Sequence, residues 1–275
     1  TQSKSSAASD VYKRQVRMLG TGNAFLPHKR HHSFLIFDGK HIIDAPPTAL
    51  LGLRRAGISP ANIETIFITH LHGDHVFGLP FLLLERKYIS DREGHRPLTI
   101  VGSSSVKERL QHLCGLAYPG SLDDAFDGVH FVETTVGQID GWHWERFRVL
   151  HDESVDPYGY RFEHADGCSF VHSGDTGPCE NLENAIRKSQ LAVVEMGIPQ
   201  WVQSIHHHNP DDILALAERH SNVKLLITHT FIDAYGSRYE PVVTNTLPKH
   251  PTNVHHVEDG ATWIFQNSEW VQNKN

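Results

Sequence analysis

Short apolar runs, which predict strands, alternate along the chain with segments whose apolar residues have helical spacing. Polar turns separate them, and together they predict a mixed α/β fold. Asp38-Gly39 joins two short apolar runs and predicts a hairpin of Phe34–Phe37 with Lys40–Ile43. Helical spacing follows Pro46-Pro47, and Asn209-Pro210 is a typical helix start. Further helices are predicted at 76–90, after Ser104 or Ser105, and around Leu182–Ile186. Strands are predicted at 16–19, 63–68, 98–101, 129–136, 142–150, 158–163, 169–172, 191–195 and 223–228, and the last strand is predicted at 262–265.

The pattern of elements continues without repeats or linkers after the first residues of the chain. Residues 1–15 are polar and without periodicity, which predicts a disordered or non-native tail. We therefore expect one domain over residues 16–275.

Charge and cysteine content narrow the function classes. The formal net charge of −7 argues against a broad basic surface for nucleic acid. The three cysteines are an odd number without Cys-x-x-Cys spacing, so neither a disulfide framework nor a thiolate zinc site is expected. The chain has no run of about 18 apolar residues, so no membrane span is expected. These features together predict a cytoplasmic protein with no membrane partner.

The segment Thr69–His75 carries the strongest chemical signal. His70, His72, Asp74 and His75 follow the predicted strand 63–68, and Gly73 allows the backbone to bend between them. Imidazole nitrogens and carboxylate oxygens at a strand end are typical of a metal site. The alternative is a His-rich surface loop, since the chain has 22 histidines.

Other polar residues also follow apolar strands. Because strand ends meet at one edge of a sheet, side chains far apart in sequence can form one site there. Each one alone would be an ordinary polar residue at a strand end. The set consists of Asp44, His70, His151, Asp175 and His229.

Thr69–His75 matches the signature of the metallo-β-lactamase-fold hydrolases, and the order of the later polar residues also fits that superfamily. Within it the chain is most similar to the ribonuclease Z-type branch. The resemblance covers nearly all of residues 16–265 and implies a four-layer αββα sandwich, of the α/β (α+β) class, with the site along one edge. The segments that carry the resemblance to this branch are Leu19–Gly22, Gly78–Pro80, His151 with Tyr158–Arg161, and Ser173–Thr176.

The resemblance also implies a set of ligands. Two Zn²⁺ ions are expected, with Mn²⁺ or Fe²⁺ as alternatives. Asp44 and Thr69 would support the His loop from behind the ligands. The implied ligands are His70, His72 and His151 for one ion, Asp74, His75 and His229 for the other, and Asp175 as the bridge between them.

The implied mechanism is hydrolysis by a metal-bound hydroxide, with Asp74 orienting the bridging water. The branch supplies the leaving-group proton from a His after the next strand. His207 and His208 are the candidates here, and the spacing to Pro210 favours His207. Glu195 would orient this His. The alternative is a surface His tract before a helix cap, and no substrate-binding residue is assigned.

The interval between His151 and Asp175 limits the substrate prediction. It spans only 24 positions, which leaves room for one hairpin, and the tRNA-gripping arm of tRNA-processing members is absent. The expected activity is therefore that of a phosphodiesterase acting on RNA or on a small nucleotide, and Tyr158–Arg161 favours phosphodiesters. The chain is also expected to form a homodimer. The alternatives are a thiolester or other carboxylic-ester hydrolase, and a non-catalytic metal-bound scaffold that binds RNA or protein.

Overall fold

The computed structural model describes residues 14–26, 29–94, 96–231 and 251–273. Within these ranges the strands form two sheets of eight and seven strands. In chain order the strands are β1 (Gln15–Gly20), β2 (Phe34–Phe37), β3 (His41–Ile43), β4 (Thr65–Phe67), β5 (Leu98–Val101), β6 (Val129–Val132), β7 (Val136–Ile139), β8 (Trp142–Arg148), β9 (Tyr158–His164), β10 (Ser169–His172), β11 (Leu191–Glu195), β12 (Lys224–Thr228), β13 (Val254–His256), β14 (Thr262–Gln266) and β15 (Glu269–Asn273).

The two sheets have similar arrangements. The first has the order β15-β14-β1-β2-β3-β4-β5-β6 and the second has the order β13-β12-β11-β10-β9-β8-β7. In the first sheet, strands β3 to β6 run parallel to one another. In the second sheet the parallel strands are β10 to β13. Each sheet therefore has one edge where the carboxyl ends of several strands meet.

The helices cover the outer faces of the two sheets. Side chains of the first sheet pack against α1, α3 and α4, and those of the second pack against α5 and α6. A third apolar cluster fills the space between the sheets. These layers form the αββα sandwich. The helices are α1 (Ala49–Arg55), α2 (Gly73–Val76), α3 (Leu79–Glu85), α4 (Val106–Ala117), α5 (Glu180–Arg187) and α6 (Pro210–Arg219).

Strand β2 illustrates why the sequence forms these layers. All four of its residues are buried, because successive side chains of a strand point to opposite faces and both faces are covered. Phe34 and Ile36 contact the helix layer, and Leu35 and Phe37 contact the facing sheet. The predicted hairpin to β3 is present, but its loop has three residues, because Phe37 pairs with His41 and not with Lys40. Asp38 and Gly39 have positive φ angles of 50° and 74°, as in the tight turns that Asp-Gly favours.

Several predicted boundaries were wrong. The segment 129–136 is not one strand, because the chain leaves the first sheet after Val132 and enters the second at Val136. The strand at 262–265 is not the last, since β15 follows it through a tight turn at Asn267 and Ser268, both with positive φ. These crossings and turns lack the glycine or proline that would have marked them in the sequence.

Two further boundaries differ from the expected ones. The predicted helix at 76–90 is divided into α2, α3 and a π-helical turn over Arg86–Ser90. Strand β1 begins at Gln15, and Arg14 forms ion pairs of 2.6 Å with Asp38 and 3.2 Å with Asp166. The last two residues of the predicted tail therefore belong to the fold, and residues 1–13 lie outside the described ranges.

Candidate metal centre

Polar side chains from both sheets meet at one edge of the sandwich. Asp44 follows β3 and His70 lies shortly after β4, both in the first sheet. Asp175 and His229 follow β10 and β12 of the second sheet, and His151 follows β8 of the same sheet. The structure thus brings the five strand-end residues of the sequence analysis to one place. Loop residues His72, Asp74 and His75 complete the cluster.

Three imidazoles form the first group of potential ligands. Nε2 of His70 and Nε2 of His151 each lie 3.1 Å from Nδ1 of His72. Two nitrogens on one tetrahedral zinc ion, each at about 2.05 Å from it, would be about 3.4 Å apart. The three nitrogens therefore already have nearly the spacing of ligands around one ion.

The second group contains two carboxylates and two imidazoles. Nε2 of His229 lies 3.3 Å from Oδ2 of Asp74 and 3.3 Å from Oδ2 of Asp175. Nε2 of His75 lies 3.4 Å from Oδ2 of Asp74 and 3.4 Å from Oδ1 of Asp175. Asp175 also approaches the first group, with Oδ2 3.8 Å from Nε2 of His70. It therefore lies between the two groups.

The charges of the cluster suit divalent cations. Burial raises the pKa of the Asp175 carboxyl, but the charges of His229 and His75 outweigh burial and hold it well below its usual range. Burial lowers the pKa of His70, which keeps this ring neutral as a ligand must be. Nε2 of His75 is buried without a hydrogen-bond partner. Such an unpaired atom beside two carboxylates is what a bound cation would satisfy.

Asp44 and Thr69 support two of the rings from behind. Asp44 Oδ1 accepts a hydrogen bond from the Thr69 backbone N–H at 2.8 Å. Asp44 Oδ2 accepts bonds from the Thr69 hydroxyl and from Nδ1 of His75, each at 2.8 Å. The Thr69 oxygen lies 3.0 Å from Nδ1 of His70. Because Nδ1 of both rings is engaged, Nε2 of both is directed into the cluster.

The buried Glu195 and the half-buried His207 form a pair at the side of the cluster. Oε1 of Glu195 lies 2.8 Å from Nδ1 of His207 and accepts a bond from the Thr176 N–H at 3.1 Å. Burial lowers the pKa of His207, but the neighbouring Glu195 charge outweighs this and raises it to about 9. The centre of the His207 ring lies 4.9 Å from that of His151 and 6.2 Å from that of His229.

The neighbouring histidines are placed differently. His208 is buried, and among the described residues no hydrogen bond, ion pair or ring contact joins its side chain to the ligand cluster. The backbone carbonyl of His206 lies 3.1 Å from Nδ1 of His151 and can accept a hydrogen bond from it. The sequence analysis missed this contact, because a backbone oxygen leaves no signal in residue type.

The Tyr158 N–H donates to the carbonyl of Thr69 at 2.9 Å, but the side chains of Tyr160 and Arg161 are directed away from the cluster. The Tyr160 hydroxyl is buried and donates a 2.8 Å hydrogen bond to the carbonyl of Ile68. The Arg161 guanidinium donates to the carbonyl of Lys188 at 2.8 Å. Both side chains hold the second sheet to its surroundings, so this motif carries no argument about the substrate.

Comparison with known proteins places the chain in a family. A model of the family described as Anti-Pycsar protein Apyc1 matches residues 14–236. The chain belongs to this family. It is also 26% identical over 271 residues to a ribonuclease Z from Staphylococcus carnosus, an alignment that covers 78% of this chain and 88% of that protein.

Solved structures match the fold of this Apyc1-family chain. The metallo-β-lactamase fold protein YhfI from Bacillus subtilis superposes with a TM-score of 0.71 at 17% identity, over 92% of this chain and 100% of YhfI. A diphosphatase of the PhnP family superposes with a TM-score of 0.70 at 19% identity, over 92% of this chain and 98% of that one. At these identities the likeness concerns the fold.

These comparisons confirm several predictions. The chain has the metallo-β-lactamase αββα fold, is related to the ribonuclease Z-type branch, and is a metal-dependent hydrolase. None of the helices over the described residues has the length and apolarity needed to cross a membrane. The roles of the individual site residues stay predictions.

Proposed function

We propose that this chain is a dinuclear zinc phosphodiesterase that cleaves a nucleotide phosphodiester. The observation that carries the proposal is the position of Asp175, which lies between two groups of potential ligands and within 3.8 Å of a nitrogen from each. A carboxylate between two such groups is typical of sites with two metal ions. The ribonuclease Z relative and the PhnP-family diphosphatase support phosphate ester chemistry.

The ligand groups would each hold one ion. His70, His72 and His151 offer three nitrogens for the first, and Asp74, His75 and His229 offer mixed ligands for the second. When bound, two zinc ions make water nucleophilic near neutral pH and neutralise charge on the phosphoryl oxygens. The Asp74 carboxylate stays ionised, because His75 and His229 outweigh burial and lower its pKa. It can therefore accept a hydrogen bond from the attacking water and orient it.

His207 is the proposed donor of the leaving-group proton. Its raised pKa keeps the ring protonated near neutral pH, and Glu195 fixes Nδ1 so that Nε2 is the nitrogen free to donate. Its ring lies beside rings of both ligand groups, where the leaving oxygen would be. Within the part of the chain that the structure describes, the His208 side chain makes no comparable contact, so the geometry favours His207.

A small nucleotide diester is the preferred substrate class. The whole interval between His151 and Asp175 is used by a short 3-10 turn and the β9–β10 hairpin, which leaves no segment to grip a large RNA. The net charge of −7 also disfavours a long polyanion. RNA remains the alternative because of the ribonuclease Z relative.

The test is a substrate panel on purified protein with quantified metal content. It contains a 3′,5′-cyclic nucleotide, bis-p-nitrophenyl phosphate, a precursor tRNA and a thiolester. We expect cleavage of the cyclic nucleotide and of bis-p-nitrophenyl phosphate, with two zinc ions bound per chain. Asp175→Asn should lower the rate by about 10³-fold or more and reduce the zinc content, because the carboxylate is shared by both groups.

The exposed Asp127 provides a matched control. Asp127→Asn should retain full rate and metal content, since this side chain is remote from the cluster. Cleavage of the thiolester alone would overturn the phosphodiesterase proposal. A fully active Asp175→Asn variant would overturn the dinuclear site.

A further inference from the structure

The Gly20-Thr21-Gly22 segment at the end of β1, to which the proposed mechanism assigns no role, lies against a ligand segment. Gly22 forms bridges with both His32 and Thr230, and the Thr230 N–H donates to the carbonyl of Thr21 at 3.0 Å. Thr230 directly follows the proposed ligand His229. The segment that follows β1 is thus joined by backbone hydrogen bonds to the segment that carries His229.

Asn23 extends this connection. Its side chain is buried, Nδ2 donates to the carbonyl of Gly197 at 3.1 Å, and Oδ1 accepts from the Phe25 N–H at 3.1 Å. Gly197 lies at the centre itself, because a Cβ built on it would be 3.1 Å from Nδ1 of His207 and 3.3 Å from Nδ1 of His229. Asn23 therefore holds the turn that carries Phe25 at the border of the site.

Phe25 is the most exposed large hydrophobic residue among those that the structure describes, at 77%. Its ring makes an edge-to-face contact with Phe231, with centroids 5.9 Å apart at 88°. Phe231 lies two residues after His229 and packs against the core beside α6. The contact involves only part of the Phe25 ring, so most of its aromatic surface is left to water.

We propose that Phe25, supported by Phe231, is the surface on which the base of the nucleotide substrate stacks. Asn23 is then a positioning residue, which sets the distance from this surface to the phosphate at the metal centre. The inference rests on the proposed phosphodiesterase function and names the part of the substrate that the metal ligands do not bind. Because every base has an aromatic face, stacking predicts that several nucleobases are accepted.

Binding can be measured separately from hydrolysis. Calorimetry on the zinc-loaded protein compares a nucleoside 5′-monophosphate with ribose 5-phosphate, which has the phosphate and sugar but no base. Phe25→Leu should weaken binding of the nucleotide about 10-fold and leave that of ribose 5-phosphate unchanged. Phe25→Tyr should restore nucleotide affinity. With a cyclic nucleotide as substrate, Phe25→Leu should raise KM and change kcat little.

Phe81 offers the matched control, since it is an exposed Phe on α3 whose ring contacts Tyr118. Phe81→Leu should change neither affinity. Equal nucleotide affinity of the wild type and Phe25→Leu would overturn the inference, and so would an equal loss for ribose 5-phosphate. A wild type that binds no nucleotide overturns it as well. If nucleotide binding depends on Phe25 but no phosphodiester is cleaved, the proposed activity fails and the stacking surface stands.

Discussion

The two groups of potential ligands differ in exposure and in charge. In the imidazole group (His70, His72 and His151), the His72 side chain is 38% exposed. In the carboxylate group (Asp74, His75 and His229), the side chains of His75 and His229 are only 2% and 5% exposed. The carboxylate group also has the buried Asp44 behind it, whereas the imidazole group is approached by Asp175, at 3.8 Å from His70, and by the exposed Asp152, at 4.0 Å from His72.

Burial and negative charge are combined in the carboxylate group. Carboxylates attract a cation more strongly where water is excluded, because the field is screened less. The carboxylate group should therefore bind its ion more tightly. The imidazole group, open to solvent at His72, is the side from which a substrate can approach.

The largest expected effect concerns a residue that contacts both groups. His207→Gln should lower the hydrolysis rate by about 10²- to 10⁴-fold, because the leaving group loses its proton donor. His208→Gln should cost less than about threefold. Both variants should keep their zinc, as measured by metal analysis beside the rate. Equal and small losses of hydrolysis rate in the two variants would show that His207 does not donate the proton. Catalysis would then depend on the two ligand groups alone.

A smaller effect should separate the two groups from each other. Asp44→Asn should weaken zinc binding by about 10- to 100-fold at the carboxylate group, because His75 loses the acceptor that orients its ring. Competition with a chromophoric chelator measures this affinity. The Asp140–His41 pair, with a 3.0 Å contact away from the cluster, is the matched control. If Asp140→Asn weakened binding as much, the support that we assign to Asp44 would be wrong.

The smallest effect concerns stability and pH. His172 is buried behind the carboxylate group, and burial lowers its pKa to about 4, so the folded protein favours the neutral ring. The unfolded chain takes up this proton near pH 6.5, and stability should fall as the pH drops below that value. The wild type should lose about 1 kcal/mol between pH 7.5 and pH 6 from this residue.

Urea unfolding of the metal-free protein at the two pH values checks this expectation. His172→Gln should show a loss that is smaller by that amount, since Gln does not titrate. His143→Gln, at an exposed position of β8, should behave as the wild type. Identical pH dependence in all three proteins would mean that His172 contributes nothing to the loss of stability at acid pH.

Much of the fold could be predicted because both faces of its strands are buried. The apolar runs at β2, β4, β11 and β12 are continuous for that reason, and the Asp38-Gly39 turn is marked by residue type. The crossing between the sheets after Val132 could not be predicted, because it depends on which strands pair and no glycine or proline marks it. The turn before β15 was missed, although Asn267 and Ser268 are residue types common in turns.

The sequence by itself indicated the chemistry of the candidate site. His70, His72, Asp74 and His75 follow one strand at spacings that suit metal binding. His151, Asp175 and His229 end other strands, and the resemblance to the metallo-β-lactamase-fold hydrolases implied that they complete the candidate ligands. This works because ligands must be particular residue types, and because parallel strands present their carboxyl ends at a common edge.

Only the tertiary structure decided which surrounding residues contact the candidate site. It distinguished His207, which contacts Glu195, from the adjacent His208, and it placed Tyr160 in the core rather than at the site. It also brought Phe25 to the border of the centre through Asn23 and Gly197, residues 174 positions apart. Such relations depend on side-chain direction and on contacts between distant segments, which the order of residues along the chain does not express.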